Sequence, residues 1–319
     1  MTWVVWRLHR SEGGVALAVL ALAAALLLIT GLQMDHTYEQ SGLGACLAHA
    51  TVSSVRGACG PLGAAFLSDY DSLRLYVAFA VLLLPALLGA LIGAPLVARE
   101  LEQRTHLLVW MQSITRARWL SVTVGLVLGT GLLAAGLVLA LLLWWYSPFA
   151  HLQGSFRPPA YDLSGPVLPA ATLLALALGL VAGTLARRTV FAIFLTLVLF
   201  LAIRLPVELA LRPNCAPPIT VAWPIAHGDN PPVTLSLQDW EVDSGWIDGQ
   251  GHRTHGFRCS SPAQTSMQCM QADGYRSYYL IYQPANRFWT FQGIETGIYV
   301  AASALAVALT FWLVQRRLA

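Results

Sequence analysis

The amino-acid sequence predicts an all-α polytopic membrane protein with six transmembrane helices, on the evidence of its composition and its apolar runs. Apolar residues account for 56% of the 319 residues and charged residues for only 11%, which is far from the balance of a soluble domain. The apolar residues gather into six runs of roughly 20 residues, the length that a helix needs to cross a bilayer. The net charge of +3 is explained by topology and indicates no nucleic-acid partner.

The apolar runs divide the chain into spans and connecting segments. The first run is longer than the apolar core of a signal peptide, roughly 7 to 15 residues, and is predicted to be a retained span. Pro206 is expected to end the fifth, because proline has no N–H to donate within a helix. The predicted segments are an N-terminal segment (1–13), span one (14–33), an extracellular segment (34–74), span two (75–98), a cytoplasmic loop helix (99–119), span three (120–146), an extracellular loop (147–166), span four (167–186), a cytoplasmic turn (187–189), span five (190–205), an extracellular cap (206–293), span six (294–315) and a cytoplasmic tail (316–319).

The orientation is indicated by arginine, since the chain contains no lysine and all 19 basic residues are arginine. With both termini in the cytoplasm, the cytoplasmic pieces carry ten arginines and three carboxylates, as the positive-inside rule expects for short loops. These arginines are Arg7, Arg10, Arg99, Arg104, Arg116, Arg118, Arg187, Arg188, Arg316 and Arg317. The sequence therefore predicts two cytoplasmic termini.

The absence of lysine also excludes two kinds of chemistry. A P-loop needs a lysine on the nucleotide phosphates, and Schiff-base catalysis needs a lysine amine. The interiors of the spans hold essentially no ionisable residues, which argues against a proton-coupled carrier and against an intramembrane protease. If ATP drives this protein, another chain hydrolyses it.

Glu295 and Arg204 lie at the predicted exterior ends of the sixth and fifth spans. Glu295 has two interpretations. A carboxylate at the start of a helix complements the helix dipole, which is a purely structural role. The alternative is an extracellular gate or a substrate contact.

All five cysteines fall in the two larger extracellular segments, where disulfides are permitted. The close pairs Cys46 with Cys59 and Cys259 with Cys269 are the simplest pairing. Cys215 is then left over, although its pairing with either later cysteine stays open because spacing does not prove connectivity.

The extracellular cap carries no strong metal signature. His252 and His255 with the two later cysteines fit no standard zinc spacing, and we predict no metal site. Asp248-Gly249 suits the turn of a short hairpin. The aromatic stretches 278–282 and 288–291 lead into the sixth span and are expected to form an interfacial belt.

The loop at 99–119 is the most informative segment. Read as a helix, it has an apolar side at Leu101, Leu108, Trp110 and Met111 and a polar side formed by Glu100, Gln103, Arg104 and His106. One interpretation is an amphipathic linker on lipid headgroups. Arg116, Arg118 and Trp119 at its end are typical of an interfacial anchor.

Several motifs around this loop resemble those of a known family. They are Gly93-Ala-Pro-Leu-Val-Ala-Arg-Glu-Leu-Glu, Thr105-His106, Trp110-Met-Gln-Ser-Ile-Thr-Arg-Ala-Arg-Trp-Leu120 and Tyr282-Gln-Pro-Ala-Asn-Arg-Phe-Trp-Thr-Phe-Gln-Gly-Ile-Glu-Thr-Gly297. Together they are similar to ABC-2 type transporter permeases, particularly actinobacterial ones with the ABCG-like, type V exporter architecture. The chain departs from that pattern at Arg104, where relatives commonly have glycine, and at Val122-Thr123, where a lysine is frequent.

The resemblance implies that residues 1–13 form a short amphipathic N-terminal helix before the first span, with a simple positive-inside anchor as the alternative. It also implies a function and a set of partners. The loop helix would be a coupling helix that docks on a separate ABC ATPase, with Glu100, Glu102, Arg104 and Thr105 facing it. ATP and Mg would bind to the ATPase, present in two copies, and this chain would need no cofactor of its own. A second permease copy, identical or similar, would complete a plasma-membrane exporter of an amphipathic or hydrophobic substrate such as an antibiotic, peptide or lipid. The alternative is a non-transporting sensor or immunity protein that binds a ligand through its extracellular cap.

Overall fold

The computed structural model describes residues 2–48, 59–103, 115–225, 232–233, 235–236, 238–256, 268–270 and 274–317. Within these residues, six helical stretches are long and apolar enough to cross a membrane. They are Leu20–Gln40, Gly60–Glu102, Ala117–Gln153, Val167–Ala186, Thr189–Asn214 and Ala285–Arg316. The prediction of a helical protein with six spans is therefore confirmed.

Ten α-helices make up these stretches and their connections in the described part of the chain. They are α1 (Thr2–Gln40), α2 (Leu43–Ala48), α3 (Gly60–Leu88), α4 (Ala94–Glu102), α5 (Arg116–Gln153), α6 (Ala160–Leu163), α7 (Val167–Ala186), α8 (Thr189–Pro206), α9 (Arg212–Asn214) and α10 (Phe288–Arg317). Two π-helical segments make α3–α4 and α8–α9 continuous, Gly89–Gly93 and Val207–Leu211.

The helices extend beyond most of the predicted bounds, and three of these differences bear on the connections between spans. The N-terminal helix and the first span form one helix, α1, without a break. The fifth span runs through Pro206 to Asn214, because the π-helical segment absorbs the altered hydrogen bonding around the proline. At the loop, α4 continues the second span to Glu102, and residues 104–114 lie outside the described residues.

Helix α7 stands in the centre of the helical bundle. It packs against α3, α4, α5, α8 and α10, and its side chains are buried on nearly every face. The surrounding helices instead turn large aliphatic side chains outward, such as Leu137 on α5 and Leu305 on α10. A helix that is apolar all round is expected at the core of a bundle, while outward-facing leucines suit contact with lipid.

Glycines allow α7 to touch the second span backbone to backbone. A Cβ atom added at Gly179 would lie 2.5 Å from the Gly89 carbonyl oxygen and 2.7 Å from the Ala94 nitrogen. Gly89 and Gly93 on one helix, like Gly179 and Gly183 on the other, are four residues apart. This small-residue spacing is typical of membrane helices that approach each other closely.

A four-stranded antiparallel sheet lies between the fifth and sixth spans. Its strands are β1 (Ile219–Pro224), β2 (Trp240–Asp248), β3 (Arg253–Thr254) and β4 (Tyr275–Gln283), in the order β1-β4-β2-β3. The predicted hairpin at Asp248-Gly249 is confirmed, since Trp246 pairs with Thr254 and Ile247 with Arg253. The Asp248 carboxylate accepts hydrogen bonds from the backbone of Gln250 and His252 and so closes the turn.

The sheet is joined to the helices through aromatic and amide contacts. Phe156, Trp240 and Phe291 pack together beside α7. The Gln283 amide donates hydrogen bonds to the carbonyls of Pro213 and Ala216 at 3.1 and 2.7 Å. The sheet end of the bundle is therefore fixed to α9 and α10.

The predicted aromatic belt is wrong for three of its six aromatic residues. Tyr278 and Tyr279 are buried in the sheet because they lie on its central strand, β4, and Phe291 is buried against Phe156. Trp289, by contrast, is 68% exposed, and its place in an interfacial belt stays a prediction.

The predicted disulfide between Cys46 and Cys59 is present and links the segment after α1 to the start of α3. Cys269 is also disulfide-bonded, whereas Cys259 lies outside the described residues, so that pairing stays a prediction. Cys215 is a free thiol.

The double substitution C46S/C59S is expected to lower the free energy of unfolding by about 2–4 kcal/mol, because the cross-link restricts the unfolded chain. The measurement is denaturant unfolding in detergent micelles, compared with C215S, which removes a free thiol and should change little. Under reducing conditions the difference between C46S/C59S and wild type should disappear. A persistent difference would mean that the serines disturb packing instead.

Candidate functional site

The predicted coupling segment begins on α4. This helix buries Ala94, Val97 and Ala98 against its neighbours and leaves Arg99 and Glu102 exposed. Glu100 is half-buried. Arg104 and Thr105, the other two residues predicted to face an ATPase, lie outside the described residues.

Glu102 forms a contact that the sequence did not predict, at the N-terminus of α8. Its carboxylate oxygen Oε2 accepts hydrogen bonds from the backbone N–H of Thr189 at 3.0 Å and from the Thr189 hydroxyl at 2.8 Å. The first N–H groups of a helix have no partner within it, and a carboxylate there also complements the helix dipole. Arg188, which precedes α8, supplies no side-chain cap. Glu102 therefore caps α8 from another helix.

The residues of the predicted interfacial anchor do not share one environment, because Arg118 is exposed and Trp119 is buried. Thr115 caps α5 by accepting a hydrogen bond from the Arg118 backbone N–H, and the Arg118 side chain is exposed. Trp119 is only 5% exposed and packs among Leu96, Leu120 and other apolar residues of the protein. Of Arg116, only its place as the first residue of α5 is described.

Four charged side chains meet in the interior at the sheet end of the bundle and form what we call the ionic cluster: Asp162, Arg204, Arg212 and Glu295. Each is at most 9% exposed. The Arg212 guanidinium donates to both Asp162 oxygens at 2.8 and 3.1 Å, and to both Glu295 oxygens at 2.8 and 2.9 Å. The Arg204 guanidinium donates to Glu295 at 3.0 Å and also to Asp162. The cluster thus ties α6, the α8–α9 helix and α10 together.

Three further side chains surround the ionic cluster. The Tyr299 hydroxyl accepts a hydrogen bond from Arg204 at 2.9 Å and donates one to Glu295 at 2.9 Å. The Tyr161 ring lies 4.3 Å from the Arg212 guanidinium carbon, within cation–π range. Glu208 is partly exposed and sits 3.4 Å from Arg204. Two guanidinium groups therefore face three carboxylates.

The π-helical segment at Val207–Leu211 brings the two arginines to one side of the fifth span. Arg204 and Arg212 are eight residues apart, which in a regular α-helix is about 2.2 turns and would point them about 80° apart. A π-helical turn takes up one extra residue, which returns the pair to about two full turns. Both guanidinium groups can then reach Asp162 and Glu295.

The electrostatics of the ionic cluster keep Asp162 ionised. Burial favours its neutral form, but the guanidinium groups of Arg204 and Arg212 outweigh that effect and hold the pKa of the carboxyl below its ordinary value. A carboxyl with a depressed pKa stabilises the folded state above its unfolded pKa of about 3.9. That stabilisation is lost as the pH falls through the pKa of the folded state.

The thermal midpoint of the wild-type protein is accordingly expected to fall as the pH is lowered from about 5 to about 3. The Asp162→Asn variant should have a lower thermal midpoint than wild type at neutral pH. Its thermal midpoint should fall less on acidification, because the variant has no carboxylate at this position to protonate. Thermal unfolding followed by tryptophan fluorescence across this range provides the test. Equal acid sensitivity in both proteins would contradict the assignment.

Glu295 lies seven residues after Phe288, the first residue of α10, and so does not occupy the first turn of that helix as predicted. Its alternative role as an extracellular gate or substrate contact stays a prediction. Glu295 is 1% exposed and is bound to two arginines. Sequence reasoning noted Arg204 and Glu295 but missed Asp162 and Arg212, which lie 133 and 83 residues from Glu295. The available signal was the spacing of Arg204, Glu208 and Arg212 at four-residue intervals beside Pro206, in a chain with few charges.

The histidines considered as metal ligands pair with carboxylates instead. His252 lies 3.3 Å from Asp248 and His255 lies 3.3 Å from Asp243. Within the described ranges, no group of three or more histidine, cysteine or acidic residues could hold a metal ion.

The six apolar helical stretches, with α7 buried among the other five, define a multi-pass membrane protein. The family model described as ABC-2 membrane transporter related matches residues 17–212, more than half of the chain, and the chain belongs to this family. No curated protein and no solved structure matches it. The predicted identity as an ABC-2 type permease is confirmed. The family supports a role as the membrane permease of an ABC transporter and implies an ABC ATPase as its partner.

Proposed function

We propose that this chain is the membrane-spanning permease of an ABC exporter that moves an amphipathic or hydrophobic substrate, such as an antibiotic, a peptide or a lipid, outward. The observation that carries the proposal is the family match, which extends over the first five spans and the loop between the second and third. The energy would come from a separate ATPase that binds ATP and Mg, since a chain without lysine cannot form a P-loop.

The proposed orientation places both termini and the loop after α4 in the cytoplasm of a bacterial cell, and the sheet outside. The arginine distribution supports this. The Cys46–Cys59 disulfide supports it as well, because disulfides persist in oxidising compartments and this one lies between the first two spans, on the proposed outer side.

A second permease copy, identical or similar, completes the proposed transporter, with two ATPases. The bundle of a single copy is filled at its centre by α7, whose residues are nearly all buried. A path for a sizeable cargo is therefore better placed between two copies than through one.

The proposed docking surface consists of the half-buried Glu100 and the exposed Glu102 at the end of α4, with Arg104 and Thr105 in the residues that follow. The test is co-expression with the ATPase encoded beside the gene, followed by affinity purification and measurement of ATP hydrolysis. Glu100→Arg is the main variant, because reversal at Glu102 also breaks the cap on α8. Glu241→Arg, an exposed charge on the sheet, is the matched control.

Glu100→Arg is expected to reduce ATPase association at least about tenfold, the effect of losing about 1.4 kcal/mol of binding energy, while Glu241→Arg retains it. If association and transport-linked ATP hydrolysis both survive reversal at Glu100 and at Glu102, the loop does not couple the two proteins. Unchanged efflux after deletion of the gene, together with ligand binding by the full-length protein, would favour a sensor instead.

A further inference from the structure

The fifth span is held by charged contacts at both of its ends. At its N-terminus, the Glu102 carboxylate of α4 accepts two hydrogen bonds from Thr189. Near its other end, Arg204 and Arg212 enter the ionic cluster. Thr189 and Arg204 are 15 residues apart, which corresponds to about 22 Å along a helix.

One buried stripe connects these two ends. Ala192, Thr196, Phe200 and Arg204 recur every fourth residue, and each is buried while the residues between them are partly or fully exposed. Ala192 packs against Ala94 and Ala98 of α4, and all three side chains are fully buried. The same helix face therefore contacts the loop-bearing helix at one end and the ionic cluster at the other.

An axial shift of the fifth span at its N-terminus would disturb the ionic cluster near its other end. A helix transmits axial movement because its backbone hydrogen bonds fix its length. A buried ionic cluster tolerates little displacement, since each charge depends on well-aligned partners to offset its desolvation. A shift of the fifth span by an ångström or more would exceed the range of hydrogen bonds that are now 2.8 to 3.1 Å long.

We infer that the fifth span is a strut that couples the position of α4 to the integrity of the ionic cluster. Glu102 and Thr189 are positioning residues that hold the N-terminus of this span in place. The α8–α9 helix is the part that moves, and it has two arrangements relative to α6 and α10. The inference rests on the proposed function for the source of the movement, an ATPase acting on α4, but the mechanical link is a property of this chain alone.

Cys215 provides a native reporter of the ionic cluster. It directly follows α9, its backbone N–H lies 3.4 Å from the Arg212 carbonyl oxygen, and it is a free, partly buried thiol. Burial raises the pKa of this thiol, as does the nearby Glu295 carboxylate. Opening of the cluster should therefore expose Cys215 and speed its reaction with a maleimide.

The experiment measures the rate at which a membrane-impermeant maleimide labels Cys215 in the full-length protein in cell membranes, without any ATPase, with peptide mapping to identify the labelled cysteine. Glu102→Ala removes both hydrogen bonds to Thr189, and Thr189→Val removes only the one from the hydroxyl. Thr196→Val is the matched control, because the Thr196 hydroxyl bonds only within its own helix, to the Ala192 carbonyl. Arg212→Lys is the positive control for a disturbed cluster.

Labelling is expected to rise severalfold in Glu102→Ala, less in Thr189→Val, and not at all in Thr196→Val. The double variant of Glu102 and Thr189 should match Glu102→Ala alone, since both changes act on one contact. The inference is overturned if the Glu102 and Thr189 variants label like wild type, if Thr196→Val labels as fast as they do, or if Arg212→Lys leaves the rate unchanged. Because no ATPase takes part, a failure here is separate from a failure of the association test.

Discussion

Replacing Arg212 with methionine is expected to lower the free energy of unfolding by about 3–5 kcal/mol, the largest effect of any single substitution considered for this protein. Arg212 is 1% exposed and donates four hydrogen bonds of 2.8 to 3.1 Å to Asp162 and Glu295. Its removal leaves two buried carboxylates that share a single guanidinium group, that of Arg204. The desolvation of at least one carboxylate is then uncompensated.

The measurement is equilibrium unfolding in detergent micelles, with Arg157→Met as the matched control. Arg157 lies 3.8 Å from Glu241, and both side chains are about half exposed, so solvent weakens their attraction. Exposed pairs of this kind contribute about 0–1 kcal/mol. Similar losses in the two variants would show that the ionic cluster is not the stabilising element proposed here.

The second large effect is expected at the crossing of α7 and the second span. Gly179→Ala should lower the free energy of unfolding by about 1–3 kcal/mol, because its new methyl group would meet backbone atoms that cannot rotate away. The nearest are the Gly89 oxygen, the Ala94 nitrogen and the Gly93 carbonyl carbon at 2.5, 2.7 and 2.8 Å. The two helices would have to separate, and α4 would move with them.

Gly136→Ala on α5 is the matched control for that substitution. A Cβ atom at Gly136 meets nothing within 4 Å, so the variant should be unchanged or stabilised by up to about 1 kcal/mol through helix propensity. Both variants can be followed by the same unfolding assay. Equal changes in the free energy of unfolding for the two variants would mean that the close backbone contact at Gly179 does not cause the expected loss of stability.

The number and nature of the spans could be predicted from sequence because a membrane imposes a simple length on each helix. Their ends were harder to place. Pro206 was expected to end the fifth span, yet the helix continues past it through a π-helical segment. The hydropathy of the sequence does not indicate where a π-helical segment forms. The central position of α7 was likewise hidden, since a helix facing lipid and a helix facing protein are both apolar.

The ionic cluster could not be derived from spacing alone, because it joins residues from α6, α8, α9 and α10. Arg204 and Glu295 were recognised as end residues, but only the fold shows that they touch each other. The cap formed by Glu102 on Thr189 was hidden for the same reason. Trp119 shows the opposite kind of error, in which a local pattern indicated a role that the fold does not support. A tryptophan beside arginines is typical of the membrane surface, but Trp119 is buried within the protein.

The ionic cluster also constrains the order in which the chain can be assembled in the membrane. Its members become available during synthesis in the order Asp162, Arg204, Arg212 and Glu295. Until α10 is inserted, the two arginines have Asp162 and the partly exposed Glu208 as their carboxylate partners among the described residues. Insertion of α10 then adds the Glu295 carboxylate, so a nascent chain that stops short of Glu295 lacks one of the four members of the ionic cluster.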